Sequence, residues 1–208
     1  MRLHAIPHST NVRRVQLALG LKGVALDELV EHAPEDRAGV RAVSGQELVP
    51  VLETDDGRVL TDSMAIVAWI DATWPTPPLY PADPAARREV EGFVTFFNDV
   101  WKVPPNAIDA EQQSGDAPDT ARIAARVAQL RGWQHGFDAL LTGRPFLFGE
   151  HPGAADICAH PFLRFAIATD PEDDDLFHGV LMEHLATTPG EHPNLTAWIA
   201  RMDALPRA

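Results

Sequence analysis

Leu48-Val49-Pro50-Val51-Leu52-Glu53-Thr54-Asp55-Asp56-Gly57-Arg58-Val59-Leu60-Thr61-Asp62-Ser63-Met64-Ala65 is the stretch whose reading decides the fold. Leu48 to Leu52 is an apolar run long enough for a strand and too short for a helix. Asp55-Asp56-Gly57 signals a tight turn, because glycine accepts a positive φ and aspartate tolerates it. Arg58-Val59-Leu60 then returns as the second strand of a hairpin. Pro50 stands inside the first strand yet cannot donate to a ladder. A cis Val49–Pro50 bond is one resolution, turning the backbone so that Val49 offers its N–H and carbonyl outside the sheet. Asp62 and Ser63 suit the start of a helix that carries Met64, Val67 and Ile70 on one face. The free N–H groups of a helix start attract an anion. One short segment therefore offers a strand edge to an extended peptide and, beside it, a place for a carboxylate.

Upstream, residues 1–6 read as a strand, Val12 to Lys22 as a helix stopped at Gly23, and Val24 to Val30 as a second strand. So short a strand–helix–strand connection implies a parallel, right-handed unit. Ala33 to Val43 reads as a weak helix. The order βαβαββα is the layout of a thioredoxin-like α/β domain, expected over residues 1–73. Trp74 to Pro84 carries prolines at 75, 77, 78, 81 and 84 and reads as a linker. No strand signal survives after it, so residues 85–208 are expected to form an all-α domain. Val90, Phe93, Val94, Phe97 and Trp101 mark a helix that Pro104-Pro105 is expected to end, followed by a polar break over 106–118. Ile123 to Leu141 marks a second helix. Gly153-Ala154-Ala155-Asp156 opens a third through Ala168, with a kink expected at Pro161. The last helix carries Leu195, Trp198, Ile199 and Met202, with Asn194 as its expected cap.

Composition narrows the function. The 208 residues carry a net charge of −13, which argues against nucleic acid and anionic membranes as partners. No apolar run approaches the ~18 residues of a membrane span. Met1-Arg2-Leu3-His4 begins directly in a strand pattern rather than a secretory signal. The single cysteine, Cys158, excludes an internal disulfide framework and fits a reducing, cytoplasmic setting; in its apolar surroundings it reads as inert filler. The nine histidines show no ligand spacing, so no metal site is expected. Asp170 to Asp175 reads as a solvated loop.

Val49-Pro50-Val51-Leu52, followed by Leu60-Thr61-Asp62-Ser63-Met64-Ala65-Ile66, resembles the glutathione-binding half of the cytosolic glutathione transferases. That family's pattern there is Val-Pro-x-Leu, then Glu/Gln-Ser-x-Ala-Ile. Phe146 to Ile157 is similar to the family's Phe-Leu-x-Gly-x-x-x-Ser-x-Ala-Asp-Ile signature, and Pro193 to Met202 to its closing helix. The resemblance implies glutathione as co-substrate, a homodimer, and attack of the glutathione thiolate on a small hydrophobic electrophile. It also implies site residues. In the serine-type phi, theta and zeta branches, a serine leads into an Arg-Val of the first helix. Counting back from Arg14-Val15, Ser9 matches the phi-like register and Thr10 the theta register, with Asn11 a further alternate. Val49 would pair with the cysteinyl backbone after Pro50, Ser63 would take the γ-glutamyl carboxylate, and Asp62 would meet its ammonium. The glycyl carboxylate wants a cation, for which Arg37, Arg41 and His32 are candidates. Trp101 and Phe97 are candidates to line the electrophile pocket. Asp156 reads as a folding device that reaches back to the N–H of residue 153. Three residues depart from the pattern: Glu47 where glycine is common, Asp62 for Glu/Gln, and Gly153 for Ser/Thr.

The chemistry is within reach of one hydroxyl. A free thiol has a pKa of ~8.5, and lowering it by about two units needs ~2.7 kcal/mol. A hydrogen bond to the anion supplies about 1.5–3 kcal/mol, and a helix start adds ~0.3–1 kcal/mol. Plainer roles compete: Ser9 or Thr10 as a helix cap, and Phe97 and Trp101 as core. Two other functions fit the same resemblance. One is a zeta-like glutathione-dependent cis–trans isomerase, although Ser9-Thr10-Asn11 lacks the cysteine of its Ser-Ser-Cys. The other is a non-catalytic binding protein that keeps the fold.

Overall fold

Alternating apolar residues at Leu3 and Ala5 and a pair of turns build a four-stranded sheet from β1 (Arg2–Ala5), β2 (Glu28–Glu31), β3 (Val51–Glu53) and β4 (Val59–Thr61). The structure is a computed structural model and describes residues 1–115, 117–169 and 173–208. The strand order is β2-β1-β3-β4. β1 and β2 run parallel with Leu3 opposite Leu29, while β3 is antiparallel to both β1 and β4. Three helices accompany the sheet: α1 (Thr10–Lys22), α2 (Arg37–Ser44) and α3 (Ser63–Thr73). The βαβαββα order is the expected thioredoxin-like layout, with the second strand spanning residues 28–31 where 24–30 was expected. Gly57, at φ 83°, makes the hairpin turn, closed by the Thr54 N–H donating to the Arg58 carbonyl at 2.9 Å.

α1 and α3 pack together. Val15, Leu17, Ala18 and Leu19 of α1 and Ile66, Val67 and Ile70 of α3 are fully buried, as are Leu3, Val51 and Leu52 of the sheet. At full burial each such side chain contributes about 1.5–3 kcal/mol. A buried ion pair pins the far ends of the two helices: Lys22 Nζ donates to Asp71 Oδ1 at 2.6 Å, and the lysine side chain has no exposed surface. Asp71 also accepts from the Leu79 N–H at 2.8 Å and the Tyr80 N–H at 3.3 Å. The proline-rich stretch is thereby moored to α3 rather than left loose.

The chain divides into two units, residues 1–87 with 205–208 and residues 88–204. The expected boundaries were 1–73, 74–84 and 85–208. The division falls instead inside α4 (Pro84–Phe96), and the last four residues return to the first unit.

The second unit is all helical: the rest of α4, a π-helical turn (Phe97–Trp101), α5 (Val103–Gln112), α6 (Thr120–Leu140), α7 (Ala154–Leu163), a 3₁₀ turn (Arg164–Ala166), α8 (Leu176–Leu185) and α9 (Pro193–Asp203). Four expectations need correction. Pro104-Pro105 begins α5 instead of ending a helix, because a proline in the first turn gives up an N–H that has no intrahelical partner. The break over 106–118 is helical as far as Gln112. α7 gives way to the 3₁₀ turn two residues after Pro161. α9 is capped not by Asn194 but by Asp138 of α6, whose Oδ1 accepts the Asn194 and Leu195 N–H groups at 2.8 and 2.9 Å.

α8 had no counterpart in the sequence reading. Asp175 caps it by accepting the Phe177 N–H at 2.9 Å, and buried Asp173 holds His178 Nδ1 at 2.9 Å. These two acids of the supposed solvated loop are structural; Asp170 to Glu172 lie outside the described residues. Asp156 does reach back as expected. Its Oδ2 accepts the Gly153 N–H at 2.9 Å, while Oδ1 accepts the Leu147 N–H at 2.9 Å and Trp198 Nε1–H at 2.8 Å. Burial pushes its carboxyl above the usual carboxylate range, and these donors oppose the shift.

Candidate functional site

Two helix starts and one strand edge carry the candidate residues of the first unit. Ser9 is the N-cap of α1, its hydroxyl accepting the Val12 N–H at 3.4 Å. That is long for a hydrogen bond, and the serine hydrogen remains available to donate. Thr10 is buried inside the first turn. Asn11 Oδ1 accepts from Arg14 Nη1 at 3.1 Å. Of the three expected thiol partners, only Ser9 is both half-buried and on the wall of a cleft.

Asp62 and Ser63 open α3 as expected. Asp62 is its N-cap, with Oδ1 accepting the Met64 N–H at 3.0 Å and the Ala65 N–H at 2.9 Å. Ser63 is nearly buried, and its Oγ accepts from Arg14 Nη1 at 3.2 Å. Arg14 is the residue that sequence reasoning passed over. It served there only as a register mark, yet its guanidinium is fully buried and ties the first turn of α1 to the first residue of α3. The signal was present: an arginine beside Val15 and four positions before Ala18 falls on the apolar stripe of the helix. A buried guanidinium next to two helix starts makes this corner positive.

His8 and Asp62 are the only non-glycine residues at positive φ among the described residues, at 63° and 65°. Such backbone costs on the order of 1–3 kcal/mol and gathers at functional sites. Each stands directly before a candidate serine, Ser9 or Ser63.

The strand edge is also in place. Val49–Pro50 is cis, and Pro50 is buried. β3 begins only at Val51, so Val49 lies outside the ladder, and no partner takes its N–H or carbonyl among the described residues. The Val51–Thr61 pairing sets Pro50 across from Asp62 one step further on. The cis-proline edge and the start of α3 are thus neighbours.

The candidates for the third ligand group separate. His32 Nε2 lies 2.9 Å from His4 Nδ1, and His4 Nε2 lies 2.7 Å from Glu53 Oε1. This bond to His4 holds the Glu53 carboxyl below its usual range, with Arg2 adding to the effect. Arg41 forms an ion pair with Glu47, which neutralises the acid that departs from the pattern. Arg37 is exposed and makes no ion pair among the described residues.

In the second unit, Phe97 and Trp101 do not line an opening. Both are wholly buried, stacked with centroids 4.4 Å apart, and packed edge-on to Phe162. The π-helical turn turns them into the aromatic core, so the expectation of an electrophile pocket on these two residues is corrected to a packing role. Cys158 is buried in α7. Among the described residues no group of three His, Cys, Asp or Glu is placed to hold a metal, and no helix is long and apolar enough to cross a membrane.

Comparison with known proteins bears on both halves. The glutathione S-transferase N-terminal domain family matches residues 3–78, and the glutathione S-transferase C-terminal domain family matches residues 112–201. A maleylpyruvate isomerase from Ralstonia sp is 30% identical over 165 residues, covering 75% of this chain and 77% of its own. The structure of a tau class glutathione S-transferase from mango, Mangifera indica, superposes with a TM-score of 0.77 at 23% identity, covering 98% of this chain and 88% of that one. A theta class enzyme from Xanthomonas axonopodis pv. citri, solved with glutathione bound, gives 0.68 at 25% identity, covering 96% and 90%. Family models match in both units, and the chain belongs to the glutathione S-transferase family.

Proposed function

We propose that this protein binds glutathione in its first unit and activates the thiol for attack on a small electrophile. The observation that carries the reading is Ser9, a half-buried hydroxyl at a helix start with only a 3.4 Å contact of its own. In this reading the thiol proton leaves to water and Ser9 donates a hydrogen bond to the thiolate that remains. The sulfur lone pair forms the new bond to carbon, and the leaving group departs with its bonding electrons. Val49 presents N–H and carbonyl to the cysteinyl backbone beside Pro50, as an added strand. Ser63, its hydroxyl already accepting from Arg14, donates to the γ-glutamyl carboxylate, and the second oxygen of Asp62 meets the ammonium. Arg37 takes the glycyl carboxylate, since Arg41 and His32 are committed elsewhere. The protein works as a cytoplasmic homodimer, in keeping with its family.

A thermal shift with glutathione, followed by turnover of chlorodinitrobenzene by wild type and Ser9→Ala, tests this. Stabilisation with activity that falls in the variant is expected. Stabilisation without any turnover points to a binding module instead, and no shift removes glutathione as the ligand. The likeness to a maleylpyruvate isomerase favours a second reading, a glutathione-dependent cis–trans isomerase. Turnover of maleyl-type substrates decides it, and the absence of a cysteine in Ser9-Thr10-Asn11 weighs against it.

A further inference from the structure

Few apolar contacts hold α2 to the sheet. Val40 is the one residue of its eight that is fully buried, and an element with so small an apolar anchor opens locally. The rest of its footing is a chain of polar groups. His4 of β1 and Glu53 of β3 share one face of the sheet by strand alternation. His32 follows β2 and is tied to the sheet by its N–H, which donates to the Ala5 carbonyl at 2.9 Å. His4 Nε2 lies 2.7 Å from Glu53 Oε1, His4 Nδ1 lies 2.9 Å from His32 Nε2, and His32 Nδ1 lies 3.7 Å from Asp36 Oδ2. Asp36 is the N-cap of α2, its Oδ1 accepting the Gly39 N–H at 3.1 Å. The first turn of the helix rides directly on the imidazole, since a Cβ on residue 39 would lie 2.7 Å from His32 Nδ1.

The acceptors fix where the protons sit. Glu53 is ionised and only accepts, so His4 Nε2 carries a hydrogen. With both rings neutral, His32 Nε2–H donates to the bare Nδ1 of His4, and His32 Nδ1 turns a lone pair toward the Asp36 carboxylate. One added proton lands on His32 Nδ1, whichever ring holds the hydrogen they share, and makes that contact an ion pair. A second proton would put hydrogens on both facing nitrogens and break the bond between the rings. The charged groups around the chain are few. Arg2 of β1 is shared by Glu28 of β2 at 2.9 Å and Glu53 at 3.3 Å. From the helix side come Asp36 and exposed Arg37, while Arg41 is paired with Glu47. β4, which packs against α2, has no titratable side chain.

We propose that His32 is a positioning residue: protonated, it latches α2 to the sheet through Asp36, steadies Arg37 on the next residue, and so tightens the grip on the glycyl carboxylate of glutathione. The latch stands on contacts within the first unit; its effect on the ligand rests on the reading that Arg37 takes that carboxylate. The grip strengthens as pH falls between 8 and 5, where histidine changes charge.

The test reads the helix first, without ligand. Hydrogen exchange of the α2 amides, corrected for intrinsic rates, is compared at about pH 5.5 and about pH 8, where Glu53 stays ionised. α2 is expected to open about twofold to fivefold less often at the lower pH, the reach of an ion pair with one half-exposed partner, while α1 and α3 do not change. Asp36→Asn keeps an oxygen for the Gly39 N–H and removes the charge, so the cap survives and the pH response is expected to vanish. His32→Gln loses the response as well. An α2 ratio near one in wild type, the wild-type ratio retained in Asp36→Asn, or a change shared equally by α1 and α3 overturns the latch. Calorimetric binding of S-methylglutathione, whose sulfur carries no proton, then reads the ligand. The rise in its Kd from the lower to the higher pH is expected to be about twofold to fivefold larger in wild type than in Asp36→Asn, and the glycyl ethyl ester of the compound loses this difference. A pH response of the helix with no binding of S-methylglutathione removes glutathione as the ligand and leaves the latch standing. Binding with the same pH dependence in both proteins, or a difference that survives in the ester, overturns the link from the latch to the glycyl carboxylate.

Discussion

Ser9→Ala separates two roles that one hydroxyl can play. As a cap, Ser9 reaches the Val12 N–H at 3.4 Å, so its removal falls at the low end of capping effects, about 0.5 kcal/mol. For a chain of this size that lowers Tm by about 1–2 °C. As donor to a bound thiolate the same hydroxyl is worth about 1.5–3 kcal/mol. At 1.36 kcal/mol per unit, the pKa of the bound thiol rises by about one to two units. Starting from a bound thiol lowered about two units, to about 6.5, the thiolate fraction at neutral pH then falls about threefold to 25-fold. The assay is a titration of the ultraviolet absorbance of thiolate in the glutathione complex, run beside thermal melts of both proteins. The expected result is a large upward move of the titration with a small move of Tm. An unmoved titration with Tm lowered by many degrees would leave Ser9 as a cap alone and refute the reasoning. Asn11→Ala is the companion variant: its side chain accepts from buried Arg14, so its loss is expected in stability first.

Three further outcomes follow from contacts within each unit. Asp71→Ala takes the carboxylate from the buried Lys22 ammonium, which keeps only the Pro77 carbonyl, and strands two backbone donors, Leu79 and Tyr80; a loss of about 3–5 kcal/mol is expected in denaturant unfolding, and a loss under about 1 kcal/mol argues against a buried pair. Asp156→Ala orphans Trp198 Nε1–H and the Leu147 and Gly153 N–H groups; at about 1–3 kcal/mol for each buried donor, the second unit is expected to melt first. Glu53 carries a lowered pKa because it accepts from His4. A lowered carboxyl stabilises the fold above its ordinary value of 4.5, and that contribution disappears as pH falls through the folded value. Wild type is therefore expected to lose more Tm than Glu53→Gln as pH is lowered through and below 4.5, and parallel curves would contradict the assignment.

The parts of this structure written in the sequence are the local ones. Gly57 after two aspartates, Pro50 inside a strand and Asp62 before Ser63 each constrain the backbone within a few residues, so hairpin, cis bond and cap were legible together. Pro104-Pro105 was ambiguous for a physical reason: the ring that ends one helix is equally suited to begin the next. α8 escaped because its first residue, Leu176, is exposed and its start depends on Asp173 and Asp175, which read as mere solvation. The Ser63 partner of Arg14 and the His4 partner of His32 lie far off in the chain, and no spacing rule reaches from His4 to His32 or from Arg14 to Ser63. Helical spacing placed Phe97 and Trp101 on one stripe, but a stripe does not say whether a cavity or a neighbouring ring lies opposite.

The return of residues 205–208 to the first unit matters for anyone who would cut the protein in two. A fragment stopped near the internal boundary would keep every strand of the sheet and all three helices that accompany it. It would nonetheless bare the strip of α1 around Gly20 and remove the Ala208 donor from the Gln16 carbonyl. The amino-terminal half is completed by residues more than a hundred positions further along the chain, so its natural borders are spatial rather than sequential.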